Sequence, residues 1–228
     1  MNAALLLLAD SRLPAGGHGH SGGAEEAVRT GVVHDLPSLA AFLRGRLATA
    51  GLVAAGLAAA ACEFGTADLR NTPAGRTGGW TRLDTEADAR TSSPAQREAS
   101  RTQGRLLLRS ARRIWPSPAL DALARAVPQG THHPITLGAV AAAAGCVPGE
   151  AALAAAYMAV TGPATAAVRL LGLDPVSVHR LLADLTPALE LISAEVPGSW
   201  EELPAHAAPA LDLLAERHIR AELRLFVS

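Results

Sequence analysis

Lysine is absent from this 228-residue chain, and all 20 of its basic side chains are arginines. A Walker-type phosphate loop and a Schiff-base enzyme both need that ammonium group. Autonomous nucleotide hydrolysis of the usual kind is therefore not expected. Aromatic residues are scarce, at 3% of the sequence, so much of the core must come from small aliphatic side chains that each bury little surface. The two cysteines, Cys62 and Cys146, form no Cys-x-x-Cys pair and signal no zinc knuckle. They read as small buried hydrophobes of a reducing compartment. A formal charge of -1 gives no reason to expect nucleic acid. No stretch alternates like a strand. The uncharged runs 47–62 and 151–168 are alanine-rich and fall short of the ~20 strongly apolar residues of a span. The apolar start, 3–9, meets Asp10 without a basic region before it. The expectation is a soluble, cytoplasmic protein with no membrane partner.

What is present favours helices. Apolar residues make up 49%, much of it alanine, the strongest helix former. One domain over 1–228 is expected, since single cores grow to roughly 250 residues. Proline and glycine punctuate an all-α bundle of roughly seven to ten helices. Asp35 with Pro37 starts a helix running towards Cys62 and stopping near Gly65. The polar stretch 66–91 reads as a surface loop with a short helix at 83–89. Ser93-Pro94-Ala95-Gln96 opens an arginine-rich helix to about Ile114. Further helices start at Pro118, after the loop 128–134, and at Pro148. Another begins at Asp174-Pro175, with Pro187 placed to kink or break it. A last helix covers 208–223, leaving 224–228 as a tail.

Three kinds of site compete. Metal chemistry has ligand types in His18, His20, His132 and His133, with Glu25 or Glu26, and a metal-dependent hydrolase using the two histidine pairs is the rival reading. Yet the pairs lie far apart and no third ligand is closely spaced. Catalysis by Ser21 with His20 and Glu25 is disfavoured, because adjacent residues rarely converge as a triad and no nucleophile elbow follows a strand. Ser21 reads better as a helix cap, with Glu25 favouring the positive helix end. Protein binding suits the glycine loop 13–25, the arginine stripe Arg97, Arg101, Arg105, Arg109 and the tail. That stripe is a solvated face or a docking surface for acidic groups. Leu225 and Phe226 must pack on something, either their own core or a partner.

The stretch from Leu13-Pro14-Ala15-Gly16-Gly17 through His20-Ser21 to Glu25 resembles the opening signature of the urease accessory protein F family. The segment Arg97-Glu98-Ala99-Ser100-Arg101, continued by Gln103-Gly104-Arg105, is similar to that family's central helix. His132-His133-Pro134 with Leu137-Gly138, Ala166-Ala167-Val168-Arg169-Leu170, and the ending Arg224-Leu225-Phe226-Val227-Ser228 follow in the family's order. His18 stands where an aromatic residue is usual, and Gly22 where a larger one is. Gly172-Leu173-Asp174-Pro175 replaces a Pro-Leu-Gly-Gln element, so no role of that glutamine transfers. A more mobile opening loop is expected as a result.

The resemblance implies an all-α, homodimeric, non-enzymatic accessory protein for urease maturation. It implies three partners: the accessory protein D or H, the nickel-carrying accessory GTPase G, and apo-urease. It implies no resident cofactor, with nickel handled transiently by the complex. Partner-binding roles would then fall on Pro14, Gly16, Gly17, His20, Ser21, Glu25, Arg97, Arg101, Gly104, Arg169, Arg224, Leu225, Phe226 and Ser228.

Overall fold

A computed structural model describes residues 2–70, 76–195 and 202–227. Ser228, a candidate site residue, lies outside the described residues. These residues build one all-α domain, with no strand among them. Two short helices, α1 (Ala4–Ala9) and α2 (Ala24–Arg29), flank the glycine loop. Asp35 caps α3 (Leu36–Arg46) by accepting from the Ser38 amide at 2.9 Å. A π-turn, Leu47–Gly51, carries α3 directly into α4 (Leu52–Arg70).

The helix thus runs past Gly65, where the sequence suggested a stop. The reason is packing: a Cβ on Gly65 would sit 3.0 Å from Ala142 Cβ on α8 (His133–Ala143). Bare backbone lets the two helices touch there. Gly138 of α8 makes the same kind of contact, with a Cβ position only 2.1 Å from the Ala58 carbonyl of α4. Small residues offset their weak burial by letting dispersion contacts run along both backbones. With α9 (Pro148–Leu171), these helices form the alanine-lined centre of the molecule.

The polar stretch 66–91 is not the loop its composition suggests. It continues α4 to Arg70 and then forms α5 (Arg76–Ala89). Trp80, Leu83, Asp84 and Ala87 are all buried and lie on one helical face. Gly79 obscures that pattern in the sequence, yet a Cβ there would meet the Phe64 ring at 2.2 Å. Its absence lets Phe64 and Trp80 pack edge to face at 4.8 Å.

Ser93 caps α6 (Pro94–Ile114), and Ser117 caps α7 (Pro118–Ala126). Gly172 ends α9 in the left-handed region (φ 64°), and Asp174 caps α10 (Pro175–Asp184) through the Val176 and Ser177 amides. Pro187 breaks the chain there, starting α11 (Thr186–Ala194). The last helix, α12 (Pro209–His218), is shorter than expected. The segments Leu36–Ala67 and Pro148–Leu171 are long and apolar enough to cross a membrane, but 56% of each such window is buried inside the fold, where they act as core helices.

Candidate functional site, where the two ends of the chain meet

The glycine loop and the C-terminal tail form one surface. Gly16, Gly22 and Gly23 take φ values of 74°, 58° and 90°, which other residues adopt only under strain. These turns carry the chain from exposed Pro14, Gly16, Gly17 and His18 down to buried His20 and Ser21. The Pro14 carbonyl accepts from Ser110 Oγ at 2.6 Å. The Ser21 hydroxyl accepts from the Glu25 amide at 3.3 Å, within the first turn of α2.

Glu25 turns away from its own helix axis to the tail. Its carboxylate accepts from the Leu225 amide at 2.7 Å and the Phe226 amide at 3.0 Å. The Val227 amide donates to the Gly19 carbonyl at 2.6 Å. Buried His218 lies 3.3 Å from the Phe226 carbonyl and 3.7 Å from the Glu25 carboxylate. The Phe226 ring packs against Ala24 and Ala166. The tail is therefore ordered on its own chain. Phe226 is a core residue here, whereas Leu223, Leu225 and Val227 remain 90%, 78% and 62% exposed. Arg224 and Arg169 are exposed beside them in sequence and on α9 respectively.

Arg46 ties this loop to the core, and sequence reading missed it. Pro163 sits inside α9 and has no N–H to give Ala159. The Arg46 Nε fills that vacancy, donating to the Ala159 carbonyl at 2.8 Å, while Nη1 donates to the Gly22 carbonyl at 2.7 Å. Burial holds the guanidinium pKa down to about 10. A Cβ on Gly22 would lie 2.9 Å from Pro163 Cγ. The unusual Gly22 thus fits a contact with no room for a side chain, and Arg46 holds its carbonyl there. A proline inside an alanine-rich helix was the available signal.

The arginine stripe divides by direction. Arg101 points inward and bridges Asp84 at 2.9 Å and Asp88 at 2.8 Å, and it donates to the Gly130 carbonyl at 2.7 Å. The His132 amide donates to Asp84, and its Nε2 lies 2.8 Å from Asp88. This network fixes the entry to α8. Gly104 is buried, and a Cβ there would lie 2.0 Å from the Thr131 carbonyl, so it is a packing glycine. Arg97 is partly buried and lies in the field of Glu216.

A cavity of about 1040 Å³ beneath the loop is lined by His18, His20, Arg46, His133, Tyr157 and Arg169 among others. Burial pushes His133 down to about 4, with neighbouring His20 adding to the effect, and burial lowers His20 as well. The four histidines of the hydrolase reading all line this cavity, and His20 lies close enough to act on His133. His132 is engaged by Asp88, a carboxylate that Arg101 also bridges. Among the described residues no group of three His, Cys, Asp or Glu side chains is placed to hold one.

Comparison with known proteins agrees with this architecture. The family model described as UreF matches residues 33–186. The urease accessory protein UreF of Mycobacterium sp. strain JLS is 48% identical over 224 residues, covering 98% of this chain and 97% of the relative. Its counterpart in Mycolicibacterium vanbaalenii is 47% identical, covering 99% and 98%. That of Mycobacterium tuberculosis strain H37Rv is 43% identical over 228 residues, covering 99% and 98%. The chain belongs to the UreF family of urease accessory proteins.

Proposed function

We propose that this chain is a non-catalytic, cytoplasmic adaptor of urease maturation. As a homodimer it joins the D/H accessory protein on apo-urease to the nickel-carrying GTPase, and so helps couple GTP hydrolysis to nickel insertion. Nickel is cargo in this reading and not a resident cofactor. Family membership supports the maturation role. The missing lysine independently argues against hydrolysis by the chain itself.

One observation carries the partner assignment. The tail backbone is clamped by Glu25 and Gly19, while the Leu223, Leu225 and Val227 side chains face solvent. A preordered tail with free apolar side chains binds with little further entropic loss. Phe226→Ala is a poor probe because it also removes intramolecular packing. Leu225→Asp and Arg224→Glu change exposed side chains only. In a titrated pull-down with the D/H protein, each variant should bind about tenfold more weakly while the fold is retained. Wild-type affinity in both variants would remove the tail from that interface.

A further inference from the structure

The outward half of the arginine stripe builds a second surface that shares no residue with the loop–tail site. Between α6 and α7 lies a cleft of about 590 Å³, lined by Arg105, Arg109, Arg112 and Arg113 against a single carboxylate, Asp121. Four arginines thus gather in one cleft of a chain whose formal charge is -1, and two of them are left uncompensated. Arg112 is held by Asp121 at 2.6 Å, and Arg105 by Glu98 at 3.0 Å and the Gln129 carbonyl at 3.1 Å. Arg109 and Arg113 are exposed and have no hydrogen-bond or ion-pair partner among the described residues. They lie one helical turn apart, a like-charge pair that disfavours the helix until an anion joins it.

The rest of the cleft wall is apolar. Leu108, Val127 and Ala124 line it, with Leu108 and Val127 nearly buried. No aromatic side chain lines it, so it lacks the stacking platform that single-stranded nucleic acids use.

We propose that this cleft docks an acidic segment of a partner protein, one with carboxylates on either side of an apolar side chain. Arg109 and Arg113 fork the carboxylates, a geometry that lysine does not offer. The apolar side chain rests on Leu108 and Val127. The proposal goes beyond the urease reading and does not depend on it, because the test needs only the purified chain.

The probe is a fluorescein-labelled dodecapeptide of four Glu-Glu-Leu repeats, followed by fluorescence anisotropy. The double variant Arg109→Glu/Arg113→Glu should bind about tenfold more weakly than wild type, since a charge reversal replaces attraction with repulsion. Circular dichroism and the thermal midpoint should not change. If the double variant fails to fold, the milder Arg109→Gln and Arg113→Gln variants should each weaken binding by roughly twofold to fivefold. Arg44→Glu, at an exposed position on α3, should bind like wild type. Equal affinity in the cleft variants, or an equal loss in Arg44→Glu, would overturn the proposal. So would displacement of the peptide by tripolyphosphate at lower concentration than by unlabelled peptide, which would mark a phosphate site instead.

Discussion

Glu25 holds the backbone of Phe226 across 201 positions of sequence, with Oε2 accepting from the Phe226 amide at 3.0 Å and Oε1 from Leu225 at 2.7 Å. Both bonds are charge-assisted, and the carboxylate is mostly shielded from water. A neutral amide at this position offers one acceptor oxygen for two donors. Glu25→Gln should therefore raise amide hydrogen exchange at residues 225–227 by about tenfold to a hundredfold, equivalent to roughly 1–3 kcal/mol of local stability. Unchanged exchange there would mean that Phe226 packing alone holds the tail.

Arg46 answers the carbonyl that Pro163 leaves open, so its loss should be felt in two elements at once. Arg46→Met keeps most of the side-chain volume but orphans the Ala159 carbonyl and frees Gly22. The expected loss is about 2 kcal/mol of global stability, with faster exchange in 20–23. Arg46→Lys reaches only one of the two carbonyls and should recover part of it. A denaturation midpoint equal to wild type in the Met variant would show that water fills the position at no loss.

Acid should weaken the fold through histidine. His133 titrates near 4 in the folded chain against about 6.5 unfolded, and His20 and His132 shift in the same direction, all led by burial. Between those values the unfolded chain binds protons that the folded chain refuses. Stability is then full above pH 7 and declines as pH falls through 6.5 towards 4. A fall of roughly 5 °C in the midpoint between pH 7 and 4.5 is expected. His133→Asn should flatten that slope, and an identical slope in the variant would acquit His133.

Much of the helical plan was legible because its signals are local. Asp35, Ser93, Ser117 and Asp174 mark helix starts through caps that act over three residues. Of the helix at 76–89 only 83–89 was legible, because Gly78 and Gly79 read as loop residues, while their value lies in how closely Phe64 approaches Gly79. The candidate site was half visible. The glycine loop and the tail stood out by composition, but their mutual contact did not, since nothing within either segment points to the other. Arg101 and Gly104 were expected to serve partner binding, and in the structure they seat residues 130–132 against α6. The arginine spacing of four hid a division into inward and outward members that only the packing of α5 and α7 resolves.

By itself the amino-acid order determined an alanine-rich helical chain, its capped boundaries, and the absence of the ammonium group that phosphate-loop chemistry needs. Tertiary structure decided which glycines are contacts and which are turns, and that Phe226 is core while Leu225 faces out. It also decided that an α3 arginine completes a proline-interrupted α9. The physical reason is range: caps and helix propensity act within a few residues, whereas close approach, burial and the pairing of distant polar groups exist only once the helices meet.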